Sequence, residues 1–186
     1  MASGNGDAGV VTVLVAYASR HGATEGIAAR VAARLADAGV DAELRHVDAV
    51  QALDAYEAVV FGAPVYDQSW PPEADRFVDA YRDALAVRPL WLFSVGAFGD
   101  TKHLIGPMTH KEPHRIAEVR AALHPREYRV FQGVIQQHQW PFWSRVFFHA
   151  FGGRFGDHRH WPVIDAWADG IARSLASTHS TPAPAV

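Results

Sequence analysis

The sequence predicts a doubly wound α/β fold, with a parallel five-stranded sheet covered by helices on both faces in three layers. Strand-like apolar runs alternate with helical patterns along the chain. The strongest runs, VVTVLVA, AVVFGAPV and PLWLFSVG, are apolar throughout and not merely on alternate residues, as strands buried on both faces must be. Length agrees, because 186 residues suit one domain with a substantial core.

The elements follow in order. VVTVLVAY opens the fold as a buried strand. TEGIAARVAARLADAG places Ile27, Val31 and Leu35 at four-residue spacing, is rich in Ala, and closes on Gly39. This predicts a helix, with Thr24 available as its cap. DAELRHV (41–47) alternates weakly as a strand. AYEAVVFGAPV (55–65) runs apolar into Gly62 and Pro64, a strand followed by a loop. PPEADRFVDAYRDAL (71–85) sets Pro at a helix entry, with Phe77, Val78, Tyr81 and Leu85 on one side. PLWLFSVG (89–96) is the clearest strand. A helix over 113–123, a strand over 128–135 and a helix over 162–176 complete the set.

Composition excludes several chemistries. With no cysteine, the chain has no disulfide, thiolate nucleophile, iron–sulfur cluster or Cys-based zinc site, so any redox chemistry belongs to a cofactor. A net charge of −3 gives no global signal for nucleic acid. Residues 1–9 read as a loose leader without signal-peptide regions, and 178–186 as a loose tail. The single domain then spans 10–177. No apolar stretch reaches the length of a spanning helix, and the expected location is cytoplasmic.

Open α/β sheets bind ligands beyond the carboxyl ends of their strands, and three loops reach that edge. The first (18–24) lacks the GxxxxGK[ST] and GxGxxG patterns. It offers Ser19, Thr24, Gly22 and the free amides of a helix start, which favour an anion such as phosphate. Thr24 either joins that site or only caps the helix. The second, GAPVYDQSWPP, brings Pro64, Val65, Tyr66 and Trp70, whose aromatic rings either stack on a flat ligand or fill core. The third, SVGAFGDT, carries Gly96 and Gly99 with Ala97, Phe98 and Asp100. Together the loops describe a site for a planar ring with a phosphate tail.

YASRHGAT before a helix, GAPVYDQSW after the third strand and SVGAFGD after the fourth resemble the flavodoxin-like family. The closer likeness is to the short flavodoxin-domain branch that includes menaquinone-dependent protoporphyrinogen oxidase. It extends over about 11–177 and takes in VFQGVIQ and GDHRHWPVIDAWADGIA. The resemblance implies strand order 2-1-3-4-5 and FMN as cofactor. It places Ser19, Arg20, His21, Gly22, Ala23 and Thr24 around the phosphate. Tyr66, Trp70, Gly96, Ala97, Phe98 and Gly99 fall near the isoalloxazine ring, with Pro64, Val65 and Asp100 beside them. His21 stands where flavodoxins usually carry Thr or Ser. The implied activity is electron transfer through flavin to a quinone-like acceptor, with protoporphyrinogen IX as candidate substrate. The alternative is an electron carrier without small-molecule turnover.

QWPFWSRVFFHAFGGRF (139–155) is an aromatic insertion with Trp143, Val146, Phe147, Ala150 and Phe151 on one helical stripe. The stripe packs as core, lies on a membrane surface, lines a route for a quinone or tetrapyrrole, or forms a homodimer contact. Surface contact would make the protein peripheral to the inner face of a membrane. The 11 histidines suggest no metal site. His110 and His114 are four apart but flank Pro113, and no HExxH pattern occurs. His103, near the third loop, is the candidate proton donor to a reduced flavin.

Overall fold

The computed structural model describes residues 12–96, 113–135, 156–157 and 159–179. Five strands, β1 (Thr12–Tyr17), β2 (Asp41–His46), β3 (Ala58–Pro64), β4 (Leu90–Gly96) and β5 (Glu127–Gln132), form one sheet in the order β2-β1-β3-β4-β5. Every pairing in it is parallel, as the apolar runs and the resemblance implied. The chain steps from β1 out to β2 and then crosses back to β3. The switch in strand order therefore falls between β1 and β3.

Helices α1 (Ala23–Asp37) and α5 (Trp161–His179) cover one face. Helices α2 (Pro72–Ala80), α3 (Arg82–Ala86) and α4 (His114–Leu123) cover the other. The alternation of β4 shows how one strand serves both layers. Leu90 and Leu92 enter the core under α2 and α4, whereas Trp91, Phe93 and Val95 enter the core under α1 and α5.

Helix α1 ends as the sequence predicts. Gly39 takes φ +82°, its N–H donates to the Ala36 carbonyl at 2.9 Å, and the Val40 N–H donates to the Leu35 carbonyl at 3.0 Å. These two bonds make a Schellman closure that only a residue tolerant of positive φ permits. The start differs from expectation. Gly22 occupies the N-cap and no side chain caps the helix, so Thr24 lies inside the first turn. The cause is backbone geometry: Gly22 at φ +79° reverses the chain two residues before Thr24 could do so.

The helix expected over 71–85 divides at Tyr81, whose backbone sits at φ −112° and ψ 17°. Its phenol donates to the Val50 carbonyl at 3.0 Å and its ring packs on Phe77, which holds this residue out of helical register. The strand expected over 128–135 breaks at Gly133, after which β6 (Val134–Ile135) pairs antiparallel with β7 (Gly156–Asp157). The last helix extends past the expected boundary. Thr178 and Ser177 hydroxyls donate back to the Ser174 carbonyl, and the Arg126 guanidinium reaches Ser174 at 2.9 Å from the start of β5.

Two forked ion pairs join α1 to α5. Arg30 donates to both Asp165 oxygens at 2.6 and 2.7 Å, and Arg34 holds Asp169 one turn along. The hydrogen bond from Arg30, with its charge, lowers the Asp165 pKa below the usual carboxylate value. A carboxylate whose folded pKa is depressed stabilises the fold above its unfolded pKa and loses that contribution as pH falls through the folded value. Asp165→Asn should therefore lower the denaturation midpoint at neutral pH. The difference from wild type should shrink as pH falls below the ordinary aspartate range, in urea titrations run across pH.

Candidate functional site at the carboxyl edge of the sheet

The carboxyl ends of β1, β3 and β4 converge on one rim. Tyr17 of β1 pairs with Gly62 of β3, and the Ala18 N–H donates to the Gly62 carbonyl at 2.9 Å. The Val65 N–H donates to the Val95 carbonyl at 2.8 Å. The Gly133 N–H donates to the Gly96 carbonyl at 3.0 Å, and a Cβ on Gly133 would stand 2.9 Å from Val95 and 3.9 Å from Ala23. That glycine lets the chain after β5 close against the Val95 side chain of β4. A Cβ on Gly96 would meet none of the described residues within 4 Å.

The first loop gathers hydrogen-bond donors at the start of α1. The first intrahelical bond of α1 runs from Gly26 N–H to the Gly22 carbonyl at 2.9 Å. The amides of Ala23, Thr24 and Glu25 therefore precede the ladder and face outward at the positive end of the helix dipole. Ser19 Oγ accepts the Gly22 N–H at 3.0 Å, which leaves the serine proton for a ligand. Thr24 is 2 % exposed, and no protein partner is found for its hydroxyl among the described residues. A Cβ at Gly22 would meet none of the described residues within 4 Å.

The second loop meets the first through Tyr66. The Arg20 guanidinium lies 6.0 Å from the Tyr66 ring centre, and the His21 ring meets Tyr66 edge-on at 6.2 Å. Arg20 also approaches Glu73 of α2 at 3.8 Å. Burial pushes the Tyr66 phenol above its usual value, with the Arg20 charge opposing, so the ring is neutral at physiological pH. It remains 39 % exposed.

Trp70 has a different place. Its ring is 3 % exposed, stands edge-on to Phe61 at 5.5 Å, and donates through Nε1 to Ser94 Oγ at 3.0 Å. It belongs to the core beneath the loop, which leaves Tyr66 as the exposed aromatic of the second loop. Pro64 ends β3 in a buried position, and Val65 packs against the same core. Ala97, Phe98, Gly99, Asp100, His103 and the segment 139–155 lie outside the described residues, as do residues 1–11 and 180–186.

Tyr66 and Ser69 exchange both backbone hydrogen bonds, at 2.9 and 2.8 Å, across Asp67 and Gln68. Both central residues carry positive φ, 46° and 62°, the requirement of the tightest hairpin turn, which normally selects Asn-Gly. Gln68→Gly should relieve that strain and stabilise the fold by about 0.5–1 kcal/mol, read as a raised urea midpoint. The sequence reading did not single out this turn, Glu73 or Ser94. Ser94 was legible as the one polar residue within the apolar run LWLFSV.

A family model described as Flavodoxin domain matches residues 14–151. No curated protein matches the chain. Among solved structures, rubredoxin oxygen:oxidoreductase from Desulfovibrio gigas superposes with a TM-score of 0.61 at 15% identity, over 91% of this chain and 37% of its own. A flavodoxin from the domain Archaea gives 0.57 at 14% identity, over 89% of this chain and 99% of its own. Oxidised flavodoxin 2 from Bacillus cereus gives 0.55 at 18% identity, over 90% and 99%. The chain spans little more than a third of the oxidoreductase. At these identities the likeness concerns the fold. Among the described residues no helix is long and apolar enough to cross a membrane.

Proposed function

The chain belongs to the flavodoxin domain family, whose cofactor is FMN, and on that premise we propose that it is an FMN-binding oxidoreductase passing electrons through the flavin at the carboxyl edge of its sheet. The observation that carries the reading is the cluster of outward-facing donors at residues 19–25, seated at the switch between β1 and β3. This is where an open α/β sheet binds its ligand.

The residues fit the cofactor. The amides of Ala23, Thr24 and Glu25 and the hydroxyls of Ser19 and Thr24 suit the phosphate, and Arg20 adds a positive charge beside them. Tyr66 offers a neutral, half-exposed ring for a planar partner, and Gly96 leaves the backbone of β4 approachable. When bound, FMN supplies the hydride and one-electron chemistry. The chain binds the phosphate, orients the ring and shields one side of it.

In its finer form the reading is quinone-coupled oxidation of protoporphyrinogen IX, with a hydrophobic small molecule or quinone as partner. The resemblance of YASRHGAT, GAPVYDQSW and SVGAFGD to that branch supports it. A carrier without small-molecule turnover is the second reading. It is favoured by the exposure of the rim, where the Arg20 side chain is 55% exposed beside the half-exposed Tyr66, a surface a docking protein could reach.

The test is the visible spectrum of protein reconstituted with FMN and passed through gel filtration, followed by anaerobic turnover. Retained flavin bands with bleaching by protoporphyrinogen IX and reoxidation by a quinone support the finer form. Retained bands without turnover, but with electron exchange with a reductase, support the carrier. A colourless protein overturns both.

A further inference from the structure

Among the described residues, the core under α2 and α4 holds one fully buried serine hydroxyl. Ser94, on β4 opposite Ala63, is 0 % exposed. Its Oγ accepts two hydrogen bonds, from Trp70 Nε1 at 3.0 Å and from the Tyr128 hydroxyl at 3.0 Å. A serine oxygen has two lone pairs, and both are committed. This bridge ties three segments at one point: β4, the edge strand β5 and the loop that follows β3.

Its position relative to the hairpin gives it a consequence. Trp70 directly follows Ser69, the residue that closes the Tyr66–Ser69 pair, and precedes Pro71, the N-cap of α2. The other leg of the hairpin is fixed by the Val65 N–H on the Val95 carbonyl. Both legs are therefore anchored to neighbouring residues of β4, one through the backbone at Val95 and one through the Ser94 side chain. Two residues of positive φ at the tip leave the turn strained, so it depends on those anchors.

Resting on the flavin reading above, we infer that Ser94 is a positioning residue for the cofactor site: through Trp70 it sets the height and tilt of the hairpin that presents Tyr66. An ordinary core serine would affect stability alone. A positioning serine also changes what Tyr66 does.

Hydrogen exchange in the free protein and FMN affinity of the reconstituted protein test this together. Ser94→Ala should speed exchange of the Tyr66 and Ser69 amides by about tenfold relative to the β3 amides, the worth of one buried hydrogen bond. It should also weaken FMN binding several-fold and shift the flavin midpoint potential, while Ser94→Thr, which keeps the hydroxyl, recovers both. In a Tyr66→Ala background the Ser94→Ala effect on FMN should vanish, because its carrier is gone. Should Ser94→Ala fail to fold, Tyr128→Phe and Trp70→Phe each delete one donor to the same oxygen and should act in the same direction. Unchanged exchange at the hairpin in a folded variant overturns the inference. So does an effect on FMN that persists without Tyr66. A wild-type protein that binds no FMN overturns the flavin reading instead, and the exchange result then reports on the hairpin alone.

Discussion

Gly62→Ala should destabilise the fold by about 3 kcal/mol, at the upper end of the usual cost of overpacking a core. Gly62 pairs with Phe93 in the β3–β4 ladder, and both face the core under α1 and α5. A Cβ at position 62 would stand 2.0 Å from Phe93 Cζ and within 2.4 Å of both Cε atoms, so the ring lies across the glycine. It has no room to retreat. Phe131 and Trp167 each sit with ring centres 5.8 Å from Phe93 and 5.4 Å from each other, and all three rings are buried. The ring of Phe93 is thus caught between an aromatic wall and a strand. The decisive comparison is the double variant Gly62→Ala with Phe93→Leu, which should recover part of the loss despite the cavity that Leu alone would leave. Urea midpoints of the four proteins read this directly. An alanine variant as stable as wild type would mean that the sheet shifts to admit the methyl group. Because the Gly62 carbonyl also accepts the Ala18 N–H, such a shift would carry the start of the 18–24 loop with it.

The sequence made the sheet legible because burial on both faces leaves a simple mark, an unbroken apolar run. The same logic exposed Gly39, whose role is local and chemical. What remained hidden depends on contacts between distant residues. Nothing in PPEADRFVDAYRDAL marks the break at Tyr81, since its cause is a hydrogen bond to Val50 across the fold. Thr24 reads as a cap until Gly22 is seen to reverse the chain first. Trp70 reads equally well as a stacking ring or as core. The choice between them rests on Ser94, 24 residues away. The turn at Asp67 and Gln68 was hidden for the opposite reason: its residues are poor choices for positive φ, so the local signal pointed elsewhere. Family likeness supplied what periodicity could not, the strand order.

Ser19→Ala combined with Thr24→Val should weaken FMN binding by about 1–3 kcal/mol, the scale of losing hydrogen bonds to a charged group. Two contributions have to be separated. Ser19 also accepts the Gly22 N–H, so its loss loosens the loop as well as removing a donor; that bond is exposed, which keeps the folding cost within about 1 kcal/mol. Thr24→Val is nearly isosteric at a buried position and removes only the hydroxyl that has no partner among the described residues. If the hydroxyl serves the protein alone, valine should lower the urea midpoint and leave affinity unchanged. If it serves a phosphate, affinity falls while the midpoint of the free protein holds. The single variants therefore divide the effect: Thr24→Val reports the ligand, and Ser19→Ala reports ligand and loop together. Riboflavin supplies the control, since it lacks the phosphate. Its weaker binding should be indifferent to Thr24→Val, and an equal loss for riboflavin and FMN would place the phosphate elsewhere on the rim.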